Sequence, residues 1–104
     1  MFVSGQVAWD ERGAIVGQGS VERQCEQVFH NVRRVLEAAG SSLEHITRVT
    51  VYLTDTAHVA AYRAARDRLL DGIRPASTLV IVAALVEPGL LVEMDAIAVV
   101  PQRA

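Results

Sequence analysis

Two carboxylates inside an otherwise apolar segment near the end of the chain constrain the fold more than any other feature. Residues 90–100 read Leu-Leu-Val-Glu-Met-Asp-Ala-Ile-Ala-Val-Val, and this composition is typical of a β-strand. Because side chains alternate across a strand, Glu93 and Asp95 share one face with Leu91 and Ile97. Carboxylates are rarely buried without a partner, so something polar must meet that face.

The segment before it predicts another strand. Pro75 favours an extended conformation at Arg74, and residues 79–86 form a continuous apolar run behind the hydroxyls of Ser77 and Thr78. Such a run is typical of a strand that is covered on both faces. Residues 87–89, Glu-Pro-Gly, predict a turn that joins it to the final strand.

The remaining elements follow from periodicity and from turn and cap residues. In chain order we predict strands at residues 2–9 and 14–16 that form a hairpin, a helix at 21–39 between the caps Ser20 and Gly40, a capping box at 41–44 that opens a short helical turn, a strand at 46–53, and a helix at 59–70 closed by Gly72. The second helix is more polar than the first, and its stripe includes Arg66. Two such helices can cover one sheet face, and the apolar side chains left on the other face favour association with further copies.

Composition limits the classes of function. The chain has 104 residues and fits one domain, residues 1–104, and its 51% hydrophobic content is high enough to suggest a subunit interface. The net charge of −2 without a basic cluster makes nucleic acid and anionic membranes poor partners. We expect no membrane span and no secretory leader. The single cysteine, Cys25, lies on the first helix stripe and favours an inert core role in a reducing compartment such as the cytoplasm.

Simple metal and nucleophile motifs are not evident. His30, His45 and His58 lie on different predicted elements without the spacing of metal ligands, so we expect no metal site. Ser4 and Ser77 lack the strand-turn-helix setting of a serine nucleophile.

Five segments of the chain carry a resemblance to a known family. They are Phe-Val-Ser-Gly-Gln at 2–6, Val-Leu-Glu-Ala-Ala-Gly-Ser-Ser at 35–42, Val-Thr-Val-Tyr-Leu-Thr-Asp at 49–55, Arg-Pro-Ala at 74–76 and Val-Glu-Met-Asp-Ala-Ile-Ala at 92–98. In this order and spacing the chain resembles the RidA/YjgF family, the reactive-intermediate (enamine/imine) deaminases. The resemblance implies an α+β, chorismate-mutase-like fold in which two helices back a mixed β-sheet. It also implies a homotrimer with ligand clefts between subunits, and cofactor-free hydrolysis of 2-imino or enamino acids to 2-keto acids and ammonia.

The resemblance also implies a site, and this sequence departs from it at one position. Glu93 aligns with a glutamate that positions the attacking water, and Gly5 aligns with a glycine whose backbone contacts the ligand. The family arginine that binds the substrate carboxylate follows Pro-Ala, but Ser77 stands there in this chain. Ser77 or Thr78 would then hydrogen-bond a neutral ligand. Arg74, three positions before Ser77, is a further candidate to contact the ligand, although an arginine next to a proline in a loop is more often a solvated surface charge. We also expect the chain to start at the second family strand, without the tyrosine that precedes it.

Three functions remain open on the sequence alone. The first is a hydrolase of reactive enamines or imines, with standard 2-imino acid deamination disfavoured by Ser77. The second is a non-catalytic trimer that binds a small carbonyl or carboxylate metabolite. The third is ribonuclease activity, a label that some family members carry, and no basic and aromatic surface in the sequence supports it. Glu93 has an alternative too, which is to pair with an arginine of a neighbouring subunit.

Overall fold

The computed structural model describes residues 1–102 and has a mixed, four-stranded sheet with two α-helices. In chain order the elements are β1 (Phe2–Val7), α1 (Val21–Ala38), β2 (Ile46–Leu53), α2 (Val59–Leu70), β3 (Ala76–Ile81) and β4 (Val92–Ala98), with short 3₁₀ turns at Leu43–His45 and Thr56–His58. The strand order is β1-β4-β2-β3. Strand β4 is antiparallel to both of its neighbours, whereas β3 runs parallel to β2 after the α2 crossover. The predicted α+β class is confirmed.

Helix α1 is set by its caps, as the sequence predicted. The Ser20 hydroxyl accepts the Arg23 N–H at 3.2 Å, which satisfies one of the free donors of the first turn. At the other end Gly40 has a φ of +84°, and the N–H of Ser41 bonds back to the carbonyl of Leu36 at 2.9 Å. Helix α1 therefore begins directly after Ser20 and ends before Gly40.

One hydrophobic core lies between the helices and a single face of the sheet. Alternate residues of β2 and β4 are buried there, among them Val51, Leu53 and Met94 at 0% exposure. Helix α1 adds a buried stripe that includes Phe29 and Leu36, and the residues of α2 that join the core are Tyr62, Ala65 and Leu70. Both helices thus cover the same side and leave the other side open. Within the described chain neither helix has the length and apolarity needed to cross a bilayer.

The predicted strand at residues 14–16 is wrong. Only an isolated bridge between Trp9 and Ile15 is present. The Asp10 carboxylate accepts the N–H groups of Arg12 at 2.8 Å and Ala14 at 3.0 Å, and these bonds hold the segment as a tight turn. The chain then turns again at Gly17, where φ is +83°, so a second ladder cannot grow.

Within a single chain the strand after Pro75 is not covered on both faces, contrary to the prediction. Strand β3 is an edge strand with Ser77, Thr78, Val80 and Ile81 exposed. It does not neighbour β4, because β2 lies between them and residues 82–91 connect them as a loop. A continuous apolar run indicates that a strand needs a cover, but it does not show whether that cover comes from the same chain or from another copy.

The capping box predicted at residues 41–44 is not formed, although the short helical turn is. Ser42 makes no side-chain cap bond. The Ser41 hydroxyl donates instead to the carbonyl of Val99 at 2.7 Å and fixes the segment after β4. This longer-range bond displaces the local one.

Candidate functional site

The sheet face opposite the helices carries ionisable and apolar side chains together. Its cross-strand rows, read from the pairing register, are Glu93–Tyr52–Val80, Asp95–Thr50–Thr78 and Phe2–Ile97–Arg48. Phe2 is 83% exposed, and the strand residues Glu93, Asp95 and Ile97 are half-buried. We call this surface, defined by these three rows, the open face.

A bulge in β1 brings Gly5 against Glu93. The ladder pairs Val3 with Ala96 and Gln6 with Met94, so two residues, Ser4 and Gly5, oppose Asp95 alone. A Cβ on Gly5 would lie 2.9 Å from the carboxyl carbon of Glu93 and still closer to its Oε2. Only glycine allows the carboxylate to approach the backbone so closely here.

The Glu93 carboxylate has no stabilising partner within residues 1–102. No hydrogen bond or ion pair in this part of the chain reaches it, whereas partial burial and then the charge of Asp95 raise its pKa. A carboxylate with a raised pKa accepts a proton more readily than an ordinary surface glutamate. The structure therefore brings together two of the residues predicted for the site, Gly5 and Glu93.

Asp95, by contrast, has a partner. The Tyr52 hydroxyl donates to its Oδ2 at 2.8 Å, and this hydrogen bond, followed by burial, raises the pKa of Tyr52. Asp95 thus contributes negative charge beside Glu93 while its own oxygen is bonded. The pair provides one bonded and one free carboxylate on the open face.

The other predicted residues are divided between the two faces of β3. Thr78 lies on the open face in the row of Thr50 and Asp95, whereas Ser77 pairs with the buried Val49 and so lies on the helix side. Ser77 and Arg74 line a cavity of about 330 Å³ beside α2. Within one chain the structure therefore does not bring Ser77 to Glu93, and a cleft that uses both must join two subunits.

A larger cavity lies between β1 and α1 but has fewer free polar groups. Its volume is about 520 Å³, and its lining includes Gly5, Asn31 and Arg34. The Asn31 amide already donates to the carbonyls of Val7 and Trp9, both at 2.9 Å, and Arg34 is paired with Glu11 at 3.3 Å. These groups hold α1 to the chain after β1.

Comparison with known proteins decides the family. A family model described as Endoribonuclease L-PSP matches residues 1–100. The chain belongs to this family. Proteins with similar sequences include Protein HMF1 of Saccharomyces cerevisiae, which is 37% identical over 98 residues that cover 94% of this chain and 74% of that protein. A RutC family protein of Synechocystis sp. is 39% identical over 103 residues, covering 97% and 78% of the two chains.

Solved structures of similar proteins share the fold. RidA from a Psychrobacter species superposes with a TM-score of 0.86 at 35% identity, covering 93% of this chain and 77% of that one. A Rid family protein of Yersinia pestis gives a TM-score of 0.87 at 34% identity, covering 94% and 76%. The resemblance to the RidA/YjgF family drawn from the five sequence segments is thereby confirmed.

Two residues beside Ser77 were not predicted as site residues in this L-PSP family chain. Arg66 lines the same cavity as Ser77, and Tyr62 is 1% exposed with a hydroxyl that makes no hydrogen bond to any of residues 1–102. Burial raises the pKa of Tyr62 to about 12. An arginine inside the otherwise apolar stripe of α2 was the available signal. No group of three or more His, Cys, Asp or Glu side chains in residues 1–102 is arranged to hold a metal ion.

Proposed function

We propose that this L-PSP family chain hydrolyses reactive enamines or imines to carbonyl products and ammonia, in clefts between the subunits of a homotrimer. The observation that carries the proposal is the Glu93 carboxylate, half-buried, unpaired within residues 1–102 and held against Gly5 with a raised pKa. Such a group orients a water molecule and accepts its proton. The reaction requires no cofactor.

The proposed chemistry is addition of water to a carbon–nitrogen double bond, and an enamine first tautomerises to the imine. The water oxygen bonds to the imine carbon while Glu93 accepts a proton from that water, and the C=N electron pair moves to nitrogen, which takes a proton from solvent. Glu93 then returns its proton to the nitrogen of the resulting carbinolamine. The C–N bond breaks, ammonia leaves, and the hydroxyl loses its proton to solvent as the carbonyl forms.

Two features of the fold support a cleft between subunits. The open face carries Phe2 at 83% exposure beside Ile97, and an apolar surface of this kind favours a second copy. Ser77 and Glu93 also lie on opposite faces of one sheet, so that only neighbouring copies can bring them together. The unpaired Cys25 supports a cytoplasmic location for this assembly.

Ser77 supports a second candidate, a non-catalytic trimer that binds a small carbonyl or carboxylate metabolite. A serine offers one neutral hydrogen bond where the family arginine would offer a bidentate, charged contact. In this candidate the cleft binds the metabolite, but the missing charged contact leaves the metabolite too poorly oriented for turnover. Glu93 would then face the ligand, or a neighbouring arginine, without transferring protons.

An assay with imines made in situ separates the two candidates. An amino-acid oxidase supplies a 2-imino acid and an amine oxidase supplies an uncharged imine, and semicarbazide captures whatever imine the protein has not hydrolysed. The first candidate predicts faster hydrolysis by the native chain, and loss of about 10²-fold or more of that acceleration in Glu93→Gln. The exposed Glu37→Gln, on the outside of α1, is the control and should retain full activity.

The outcomes are distinct. An inactive native chain that gains activity in Ser77→Arg supports the binding trimer. An active chain whose rate is unchanged in Glu93→Gln contradicts the proposed role of the glutamate.

The assembly is tested by light scattering after size-exclusion chromatography. We expect three times the subunit mass of 11.3 kDa. Ile97→Lys, which places a charge on the open face, should release folded monomers, whereas Glu37→Lys at an exposed position on the outside of α1 should not. A native chain that is monomeric and folded in dilute solution would contradict the proposal.

A further inference from the structure

The cavity beside Ser77 has the charge of an anion site. It lies between the end of α2, the loop at residues 71–75 and the start of β3, with a volume of about 330 Å³. Its charged lining residues are Arg66, Asp67 and Arg74. Two guanidinium groups and one carboxylate leave a net positive charge, and the small side chain of Ser77 leaves space in front of them.

Arg66 is held in place by its neighbours on both sides. Its Nε and Nη2 donate to Oδ1 of Asp67 at 3.1 and 2.9 Å, and its guanidinium carbon lies 6.0 Å from the ring centroid of Tyr62. The side chain is only 31% exposed, in contrast with 66% for Asp67. The Nη1 group makes no hydrogen bond within residues 1–102, so a guanidinium edge remains for a ligand. Arg74, in the same part of the chain, is exposed and has no ion pair.

Behind the cavity lining, the Tyr62 side chain under Arg66 has a buried hydroxyl that lacks a partner within residues 1–102. Ser77 approaches the buried Tyr62 hydroxyl closely enough to affect its pKa, but no well-formed hydrogen bond joins them. A buried hydroxyl without a partner is unusual, and an oxygen atom of a ligand or a water beside Ser77 would satisfy it. Two independent features, the guanidinium edge and the unpaired hydroxyl, therefore point to the same side of β3.

We infer that Arg66 supplies, from helix α2, the carboxylate-binding guanidinium that the Pro75-Ala76-Ser77 segment lacks. The ligand class is a small 2-oxo or 2-imino carboxylate whose carboxylate oxygens accept from Arg66 beside Ser77. This inference rests on the proposed function for the reacting end of the ligand, but it assigns the other end to residues of its own. The site thus recognises an acid although the family arginine position holds a serine.

Binding of pyruvate and of its uncharged amide tests the inference by calorimetry. The native chain should bind pyruvate at least about 10-fold more tightly than the amide, because charge-assisted bonds are the stronger ones. Arg66→Ala should remove that difference by weakening the binding of pyruvate far more than the binding of the amide. Arg63→Ala, an exposed arginine on the same helix outside the cavity, is the matched control and should bind both probes as the native chain does.

A rescue variant separates recognition from folding. Arg66→Ala/Ser77→Arg should regain the preference for pyruvate, since it returns a guanidinium to the same cavity from the other wall. Equal binding of the two probes by the native chain, unchanged pyruvate binding in Arg66→Ala, or a loss confined to Arg74→Ala would each overturn the assignment. Thermal melting of each variant, including the milder Arg66→Gln, shows whether a loss of pyruvate binding comes only from unfolding.

Failure of this inference can be told from failure of the proposed function. If Arg66 binds the carboxylate, Arg66→Ala slows hydrolysis of the 2-imino acid and spares the uncharged imine. If Glu93 is not the water-orienting group, Glu93→Gln leaves hydrolysis of both substrates intact while the pyruvate preference persists.

Discussion

The substitution Gly5→Ala tests the candidate site at the point where the β1 backbone approaches the Glu93 carboxylate. An added Cβ would lie 2.9 Å from the Glu93 carboxyl carbon, whereas ordinary van der Waals contact begins at 3.4 Å. The carboxyl carbon must therefore retreat by about 0.5 Å, and the nearer oxygen by more. Displacement of a catalytic group by about 1 Å costs on the order of 10²-fold in rate.

Stability should change far less than activity in this variant. The atoms that must move are the free end of a flexible side chain, and Gly5 does not have a positive φ that alanine would strain. We expect a cost below about 1 kcal/mol, which lowers the melting temperature by no more than about 4–8 °C for a domain of this size. Loss of rate without loss of fold is the expected result.

The imine hydrolysis assay measures this effect, with Ser4→Ala as the control because Ser4 shares the bulge and its hydroxyl makes no hydrogen bond within residues 1–102. The double variant Gly5→Ala/Glu93→Gln should be no slower than Glu93→Gln alone, because both changes act through one carboxylate. A folded Gly5→Ala chain with native rate, or a double variant in which the two losses add in full, would refute this reasoning.

Three further predictions concern stability and reactivity. Because folding raises the pKa of Glu93, the ionised carboxylate destabilises the folded state at pH 7, and Glu93→Gln should therefore raise the melting temperature at that pH. This gain should disappear as the pH falls toward the unperturbed pKa of 4.5, where the native glutamate becomes protonated. A lower melting temperature of Glu93→Gln at pH 7 would indicate that Glu93 pairs with a neighbouring subunit. The buried Gln24 donates to the Gly89 carbonyl and accepts the Leu91 N–H, both at 2.8 Å, so Gln24→Leu should destabilise the chain by about 1–3 kcal/mol for each group left unpaired, and urea unfolding checks this. Burial raises the pKa of Cys25 to about 12, so iodoacetamide at pH 8 should modify it only after unfolding, and rapid labelling of the native chain, seen by mass spectrometry, would contradict this.

The helices and the central strands were predictable because their signals are local. Ser20 and Gly40 limit α1, and alternation in residues 46–53 defines β2 at the predicted bounds. The position of β3 was not predictable from its apolar run, since an edge strand that awaits another chain has the same composition as a central one. The hairpin strand at 14–16 failed because the Asp10 side chain accepts the Ala14 N–H, so the pairing ends with two backbone bonds, from the Asp10 N–H to the Ala14 carbonyl and from the Val16 N–H to the Ala8 carbonyl.

The candidate site was predictable in part. The pairing of Gly5 with Glu93 followed from the family resemblance, because nothing in the alternation of β1 indicates a bulge at residues 4 and 5. Whether Ser77 and Glu93 lie on the same side of the sheet depends on which face of β3 carries Ser77. That face is set by the register of β3 with β2, which the sequence does not show. Arg66 was missed because it lies in the stripe of α2 that the sequence assigns to the core. The cavity in front of it is formed together with the loop after α2, and that loop's position is not evident from the sequence.

The position of β3 at the rim of the sheet has a consequence for handling the protein. One side of its backbone, from Ala76 to Ile81, has no neighbouring strand among the described residues, and Val80 and Ile81 are 37% and 43% exposed next to it. Such a rim is a template onto which any extended peptide can add. Single copies with this edge uncovered should therefore precipitate at high concentration, and covering the edge should increase the soluble yield.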